Sequence, residues 1–173
     1  MSKLIAIRSS VALVAALGAL EAGAQFPLQE ATIESLHAAG STHEYKEVDD
    51  VSVIFKLASG MHATLATAAD ASWLFPFERV EVFCHHATLV TREMESLTCS
   101  INLEGHFTQQ SMQQLSREEK WGYLQEDRAF IDSIINGTPA LVTALDGLMS
   151  VEIVNAVYES VRTGSPVNIC SVL

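Results

Sequence analysis

The middle of the chain alternates apolar and polar residues in a way that predicts a β-hairpin. Every second residue from Val51 to Leu57 is apolar, which is the period of a half-buried strand. Ser59-Gly60 follows as a tight turn, and residues 61–69, rich in Ala and Thr, return as a second strand. Upstream, residues 28–38 predict an extended segment and residues 40–50 a polar connection.

Further strands with short connections follow this hairpin. Arg79–Cys84 and Ala87–Arg92 alternate on either side of His85-His86, which stands where a turn is expected. Residues 97–103 predict another strand and residues 106–115 a final one. Because strands joined by short turns pair in opposite directions, we expect a mainly antiparallel sheet.

The last third of the chain changes to helical spacing. An apolar pair at 130–131 recurs at 134–135, behind the acidic pair Glu126-Asp127, which suits the positive end of a helix dipole. Gly137 and Pro139 end this first predicted helix.

A second helix is predicted over residues 143–163. Thr143 is a good N-cap, and Asp146 stands three positions behind it as in a capping box. Outside a narrow polar stripe this helix is apolar, so we expect most of its surface to be buried. A Gly-x-Pro sequence ends it, and residues 167–169 predict a short closing strand.

These elements predict an α+β fold, in which helices pack on one face of an open, mainly antiparallel β-sheet. A length of 173 residues is usual for one domain, and we expect a single domain over residues 1–173. The sheet face that the helices leave uncovered requires a partner. A homodimer through the sheet is the simplest partner, because oligomers favour two-fold symmetry.

Residues 1–24 form a separate N-terminal segment with two interpretations. Lys3 and Arg8 precede an apolar run over residues 11–20, and Ala22-Gly23-Ala24 resembles a signal-peptide cleavage site, which predicts an exported protein. We favour a buried, Ala/Leu-rich helix in a cytoplasmic protein, since Glu21 lies beside the cleavage site. The apolar run is too short to span a membrane.

The charge of the chain argues against nucleic acid as a partner. The net charge is −11, and Lys and Arg residues form no cluster. Binding to phosphates requires a basic face, so we exclude nucleic acid and, for the same reason, an anionic membrane surface.

Side chains with reactive chemistry form no recognisable catalytic or metal-binding pattern. The cysteines Cys84, Cys99 and Cys170 are widely spaced, which predicts free thiols in a reducing compartment rather than a disulfide framework or a zinc site. His85-His86 beside Cys84 do not converge, because neighbouring strand residues point to opposite faces. Asp49-Asp50 predicts a turn that leads into a strand. We therefore predict no metal site.

Two C-terminal segments resemble the glucose–fructose oxidoreductase/inositol dehydrogenase (Gfo/Idh/MocA) family. They are residues 121–139, WGYLQEDRAFIDSIINGTP, and residues 143–167, which begin TALDGLMSVEIVNAVYES. The hairpin at 49–65 and the strand at 78–83 are similar to parts of the same family's sheet. The resemblance covers about residues 45–169. It implies the C-terminal domain, which covers the substrate, supports dimer or tetramer formation and follows a Rossmann domain that binds NAD or NADP.

The resemblance also implies a substrate pocket at Trp121, Tyr123 and Glu126, because this segment lies near the substrate cleft in some relatives. An aromatic pair at the start of a helix is suited to stack on a sugar or polyol. The plainer interpretation is that both rings anchor the helix to the sheet.

Three departures from the family concern its cofactor and its chemistry. The nine glycines include no G-x-G, so a Rossmann fingerprint is absent from the sequence. No lysine precedes a proline, and no histidine has an aspartate three residues later, so the family's catalytic lysine and histidine have no counterpart. We therefore predict no catalytic and no cofactor-binding residue in these 173 residues.

Two functions follow from these observations. The first is a substrate-covering and dimerisation domain with a sugar or polyol as ligand. Its Rossmann domain is then either on a separate chain or lost from this gene product. The second is a stand-alone binding or structural protein that keeps the sheet without redox chemistry. The sequence leaves open whether the chain is part of an enzyme.

Overall fold

The computed structural model describes residues 32–43, 46–69, 71, 78–101, 106–140 and 142–169. They form an α+β fold, as predicted. The strands are β1 (Ile33–Ser41), β2 (Asp50–Leu57), β3 (His62–Ala68), β4 (Arg79–Cys84), β5 (Ala87–Arg92), β6 (Ser96–Ile101), β7 (His106–Ser111) and β8 (Val167–Asn168). The helices are α1 (Arg117–Lys120), α2 (Tyr123–Asn136) and α3 (Ala144–Thr163).

The described residues fall into two compact units. One contains residues 32–71 and 142–169, and the other contains residues 78–140. Each unit has a four-stranded sheet in which all neighbouring strands are antiparallel. The sequence predicted one sheet, whereas the described strands are hydrogen-bonded in two. The expected single domain over residues 1–173 stays a prediction.

The sheet of the first unit has the strand order β3-β2-β1-β8. The predicted hairpin is confirmed, since β2 pairs with β3 from Asp50 opposite Ala68 to Lys56 opposite His62. Gly60 forms the turn with a φ of 87°, a conformation that costs glycine little. The closing strand is also confirmed as β8, which pairs with Ser35 and Leu36 of β1.

The core of the first unit lies between this sheet and α3. Leu36 and Ala38 of β1 and Val53 of β2 are buried against Ala156 of α3. Burial of an apolar side chain of this size contributes about 1.5–3 kcal/mol. The alternation that predicted the strand therefore has a direct cause, because Val51, Val53, Phe55 and Leu57 all belong to the face that α3 covers.

A buried serine joins α3 to β1. The hydroxyl of Ser160 accepts a hydrogen bond of 2.9 Å from the backbone N–H of Ala38. It also donates one of 2.8 Å to the carbonyl of Ser165, just after the helix. The Ser160 side chain is fully shielded from solvent. β8 pairs with β1 only at Ser35 and Leu36, so no strand lies on the side of β1 to which the N–H of Ala38 points. The Ser160 hydroxyl accepts the hydrogen bond that a strand would otherwise accept there.

Gly40 lies where β1 comes closest to its neighbours. A Cβ atom added at this position would stand 2.5 Å from Cγ1 of Val48 and 2.8 Å from the backbone oxygen of Asp50. Only glycine fits there. Because Gly40 has no Cβ atom, it can still pair with Val51. β1 therefore extends to Ser41, beyond the predicted boundary near residue 38.

Both ends of α3 follow the sequence signals. Thr143 accepts from the backbone N–H of Asp146, and Asp146 accepts from the backbone N–H of Thr143, which completes the predicted capping box. Gly164 ends the helix with a φ of 64°. The prediction that most of this helix is buried is wrong, because one stripe covers the sheet and a second apolar stripe is exposed. The exposed stripe contains Leu148, Val151, Val154 and Tyr158.

The sheet of the second unit has the strand order β4-β5-β6-β7. Leu89, Leu97 and Cys99 form its buried face, and burial raises the pKa of the Cys99 thiol, with a smaller contribution from Cys84. The bounds of β4 and β5 agree with the predicted ones, and His85-His86 form the predicted turn, with a positive φ of 55° at His86. The opposite face carries Phe83, which is 75% exposed.

The first predicted helix is α2, which begins at Tyr123 and ends, as predicted, at Gly137, in the left-handed conformation. Glu126 lies in its first turn. Its apolar residues at 130–131 and 134–135 are exposed, and Ser133 is its buried residue. The periodicity identified the helix correctly, whereas the described residues do not bury its apolar stripe.

The N-terminal helix or signal peptide expected in residues 1–24 lies outside the described residues. So does Cys170, while Cys84 and Cys99 are free thiols. Among the described residues, no helix combines the length and the apolar character that a membrane crossing requires.

We expect Gly40→Ala to lower the free energy of unfolding by about 1–3 kcal/mol, because a methyl group would overlap its neighbours. Gly147→Ala is the matched control, since a Cβ at Gly147 meets no atom within 4 Å. That change should stabilise the helix by up to about 1 kcal/mol. Urea denaturation monitored by circular dichroism measures both, and equal stability of the two variants would contradict the close approach of β1.

We expect Ser160→Ala to cost about 1–3 kcal/mol, because it leaves the buried N–H of Ala38 without an acceptor. Ser150→Ala is the control on the same helix, where the hydroxyl is exposed and bonds only to the Asp146 carbonyl. This second change should stay within about 0.5 kcal/mol. The same denaturation experiment distinguishes them, and a neutral Ser160→Ala would show that the buried hydroxyl does not hold α3 to β1.

Candidate ligand-binding corner around Trp121

A capping box positions the short helix α1 before Trp121. Ser116 accepts from the backbone N–H of Glu119 at 3.2 Å, and Glu119 accepts from the backbone N–H of Ser116 at 2.9 Å. The Ser116 backbone N–H, and secondarily its hydroxyl, hold the pKa of Glu119 below its ordinary value. The cap therefore contributes fully to stability above the ordinary carboxyl pKa. This contribution is lost as the pH falls through the lowered pKa of Glu119 in the folded protein.

A salt bridge ties the end of α1 to the turn between β5 and β6. The Nζ atom of Lys120 lies 2.8 Å and 2.9 Å from the two carboxylate oxygens of Glu95. The Lys120 side chain is only 14% exposed. The turn itself is tight, because Glu93 and Met94 have positive φ angles and Met94 is buried. α1 is therefore attached to a rigid part of the second sheet.

Gly122 sets the direction in which the chain leaves this corner. Its φ of 81° links α1 directly to α2, with Trp121 as the last cap residue of one helix and Tyr123 as the first residue of the next. A side chain at this position would be strained in the left-handed conformation. The glycine thus places two aromatic residues on either side of a sharp bend.

The two aromatic rings stack at this bend. The ring centroids of Trp121 and Tyr123 are 6.4 Å apart, with an angle of 22° between the planes. The guanidinium carbon of Arg117 lies 5.6 Å from the centre of the Trp121 ring, within the range of a cation–π contact. Tyr123 is 49% exposed, so this aromatic pair is accessible from solvent.

Of the three predicted pocket residues, the structure brings Trp121 and Tyr123 together. Glu126 lies one turn further along α2, with an exposed side chain that forms no hydrogen bond or ion pair to a described residue. Arg117 was not predicted, and neither was α1. The signal was present as Ser116-x-x-Glu119, the sequence pattern of a capping box.

The chemistry of this corner suits a neutral, hydroxyl-rich ligand. Aromatic faces pack against the C–H face of a ring, while the guanidinium of Arg117 and the carboxylate of Glu126 provide a donor and acceptors for hydroxyl groups.

A comparison with protein-family models matches residues 25–169 to the oxidoreductase family, C-terminal alpha/beta domain, of the Gfo/Idh/MocA group. The chain belongs to this family. The match covers most of the sequence and confirms the resemblance inferred from the two C-terminal segments. A comparison with curated proteins gives no match.

Solved structures of Gfo/Idh/MocA oxidoreductases share the fold of this C-terminal domain. An oxidoreductase from Agrobacterium radiobacter in complex with NAD+, L-tartaric acid and magnesium has a TM-score of 0.68 at 17% identity, over 82% of this chain and 45% of its own. Levoglucosan dehydrogenase in complex with NADH and L-sorbose has a TM-score of 0.71 at 14% identity, over 82% and 46%. UDP-N-acetylglucosamine 3-dehydrogenase from Acidithiobacillus ferrooxidans has a TM-score of 0.63 at 16% identity, over 79% and 42%.

The chain therefore spans less than half the length of these relatives. At such identities the similarity establishes the fold, and it leaves the ligand and the assembly of this Gfo/Idh/MocA domain to be tested.

We expect Lys120→Met to destabilise the protein by about 1 kcal/mol, because it leaves Glu95 without its partly buried partner. Arg162→Met is the control, since the Glu159–Arg162 pair is exposed, and we expect no measurable change there. Thermal unfolding followed by circular dichroism measures the difference. An equal effect of both changes would mean that the Lys120 salt bridge does not hold the Trp121 corner in place.

Proposed function

We propose that these residues provide the substrate-covering and dimerisation domain of a sugar or polyol oxidoreductase, and that the NAD(P)-binding site lies outside them. The observation that carries the proposal is the family match over residues 25–169 in a sequence without a G-x-G fingerprint. Two of the structurally similar proteins are bound to NAD+ or NADH, and this chain matches less than half of each.

The exposed aromatic corner supports the substrate-covering part of the proposal. Trp121 and the exposed Tyr123 form a stack beside a guanidinium, and aromatic and guanidinium groups of this kind are suited to bind the C–H face and the hydroxyl groups of a sugar or polyol. The catalytic lysine and histidine would then come from outside these 173 residues, and this domain would orient the substrate.

Ligand binding is tested by titrating a panel of monosaccharides and polyols against a Trp73→Phe variant, in which Trp121 is the remaining indole. We expect at least one ligand to change the Trp121 fluorescence, and Tyr123→Ala to weaken its binding at least tenfold. Tyr158→Phe is the control, because Tyr158 is similarly exposed, at 45%, on α3. A panel without any response, or equal effects of both tyrosine changes, would refute the assignment of this corner.

The Trp73→Phe protein is also used to test whether these residues bind a nicotinamide cofactor. NAD and NADP alone should leave the melting temperature unchanged, because binding to the native state would raise it. A clear stabilisation would show that these residues bind a nicotinamide dinucleotide by themselves and would overturn the placement of the cofactor site outside them.

Dimerisation through the sheet is supported by Phe83, whose side chain projects from the open face of the second sheet. We expect a dimer in sedimentation velocity experiments and a monomer for Phe83→Glu. Phe130→Glu serves as the control, since Phe130 is 59% exposed on α2. A monomeric wild-type protein, or a dimer that survives Phe83→Glu, would contradict an interface on this face.

We also propose a cytoplasmic location, because Cys84 and Cys99 are free thiols and a reducing compartment preserves such groups. Intact mass of the protein from its native source tests this. A mature chain that starts at Gln25 would support export instead.

A further inference from the structure

The connection between β1 and β2 gathers one imidazole and two carboxylates. His43, Asp49 and Asp50 each offer a ligand atom within 4.8 Å of the others. The Nδ1 atom of His43 lies 3.2 Å from Oδ1 of Asp49 and 3.1 Å from Oδ2 of Asp50. This group lies in the first unit, whereas the Trp121 corner lies in the second.

The backbone holds this cluster in place. Asp49 donates to the carbonyl of Ser41 at 3.0 Å and accepts from the N–H of Ala69 at 3.0 Å, so it is fixed between β1 and the end of β3. Its side chain is 1% exposed, and both of its oxygens accept from the backbone N–H of His43, at 2.9 Å and 3.1 Å. The buried carboxylate of Asp49 thus fixes the position of the His43 backbone, from which the imidazole extends.

Asp50 contributes a second, independent observation. Its Oδ1 atom is shielded from solvent and has no hydrogen-bond partner. Oδ1 belongs to the same carboxylate whose Oδ2 contacts His43, so it lies within the cluster. The Asp50 side chain as a whole is 28% exposed, so this shielded oxygen is accessible to a small group from solvent, and either a water molecule or a bound ion would satisfy it. A cation would also offset the repulsion between two neighbouring carboxylates.

The separations suit a common metal ion. Adjacent ligand atoms bound at about 2.0–2.2 Å to one ion lie about 2.8–3.6 Å apart in octahedral or tetrahedral geometry. The two N···O distances of 3.1 Å and 3.2 Å fall inside that range. Imidazole together with carboxylate favours zinc over magnesium or calcium, which prefer oxygen ligands alone.

Space for a further ligand lies beside Asp50. An open depression of about 560 Å³ is formed by residues 39–41, 50–52 and 66–68. Ala39, Ser52 and Ala66 lie opposite one another in the sheet register and point away from the face that α3 covers. Their small side chains leave room over the sheet, next to the carboxylate of Asp50.

We propose that His43, Asp49 and Asp50 bind a Zn²⁺ ion, and that its remaining coordination positions open toward this depression. The ion is held by Nδ1 of His43 and one oxygen from each aspartate. Water or a ligand oxygen completes the coordination. The proposal differs from the sequence-based interpretation, which assigned Asp49-Asp50 only to a turn and predicted no metal site. It does not depend on the oxidoreductase role proposed above.

The test is a calorimetric titration of Zn²⁺ into tag-free, chelator-treated protein. All titrations use a His85→Gln/His86→Gln background, because adjacent exposed histidines bind zinc nonspecifically. We expect one ion per chain, with a binding constant that His43→Gln and Asp50→Asn each weaken at least tenfold. His62→Gln is the matched control, because His62 is an exposed histidine on β3 of the same sheet and should bind as the parent does.

A second measurement leaves His43, Asp49 and Asp50 unchanged, so its result does not depend on whether the variants fold. Co²⁺ in place of Zn²⁺ should give visible absorption bands with nitrogen and oxygen ligation. Its paramagnetism should broaden NMR signals near Ser41 and Asp50 before those of residues 57–62, at the opposite end of the same hairpin. Absence of stoichiometric binding, broadening centred elsewhere, or unchanged affinity in folded His43→Gln and Asp50→Asn would overturn the proposal. The cluster would then be an ordinary ion pair between His43 and the two aspartates.

Discussion

Strand β1 has a neighbouring strand on both sides along only part of its length, and the hydroxyl of Ser160 completes the rest. β8 covers Ser35 and Leu36, after which the N–H of Ala38 turns toward the helix instead of a strand. The placement of α3, and with it the core around Val53 and Ala156, follows from this contact. A side chain of another size or polarity at residue 160 would either leave a buried donor unsatisfied or separate the helix from the sheet.

Local signals were sufficient wherever neighbouring residues decide the structure. The alternation around Val53, the turn at Gly60 and the cap formed by Thr143 and Asp146 act within a few residues, and all were predicted correctly. The separation into two sheets was not predictable, because it depends on which strands pair across long distances. The short helix α1 was missed although Ser116 and Glu119 carry its signal, since four residues give no periodicity.

The candidate sites differ in how far the sequence could reveal them. Trp121 and Tyr123 are two residues apart, and the resemblance to the family drew attention to both. Their stacking depends on the left-handed bend at Gly122, which a Trp-Gly-Tyr sequence does not specify by itself. His43 and Asp50 come together at the end of the pairing between β1 and β2, where Ser41 lies opposite Asp50, and local sequence patterns do not specify that register.

The contact between Ala38 and Ser160 also orders events during synthesis, because 122 residues separate its partners. The described strands of the second unit all lie within residues 78–140, so the ribosome releases them before α3 exists. The first unit can form its hairpin early, yet its core must wait for the C-terminal thirty or so residues to emerge. Until then, the apolar face of β1 and β2 stays open to chaperones and to premature pairing with other chains. The interval between these two events is a property of chain connectivity and would change if the protein were circularly permuted.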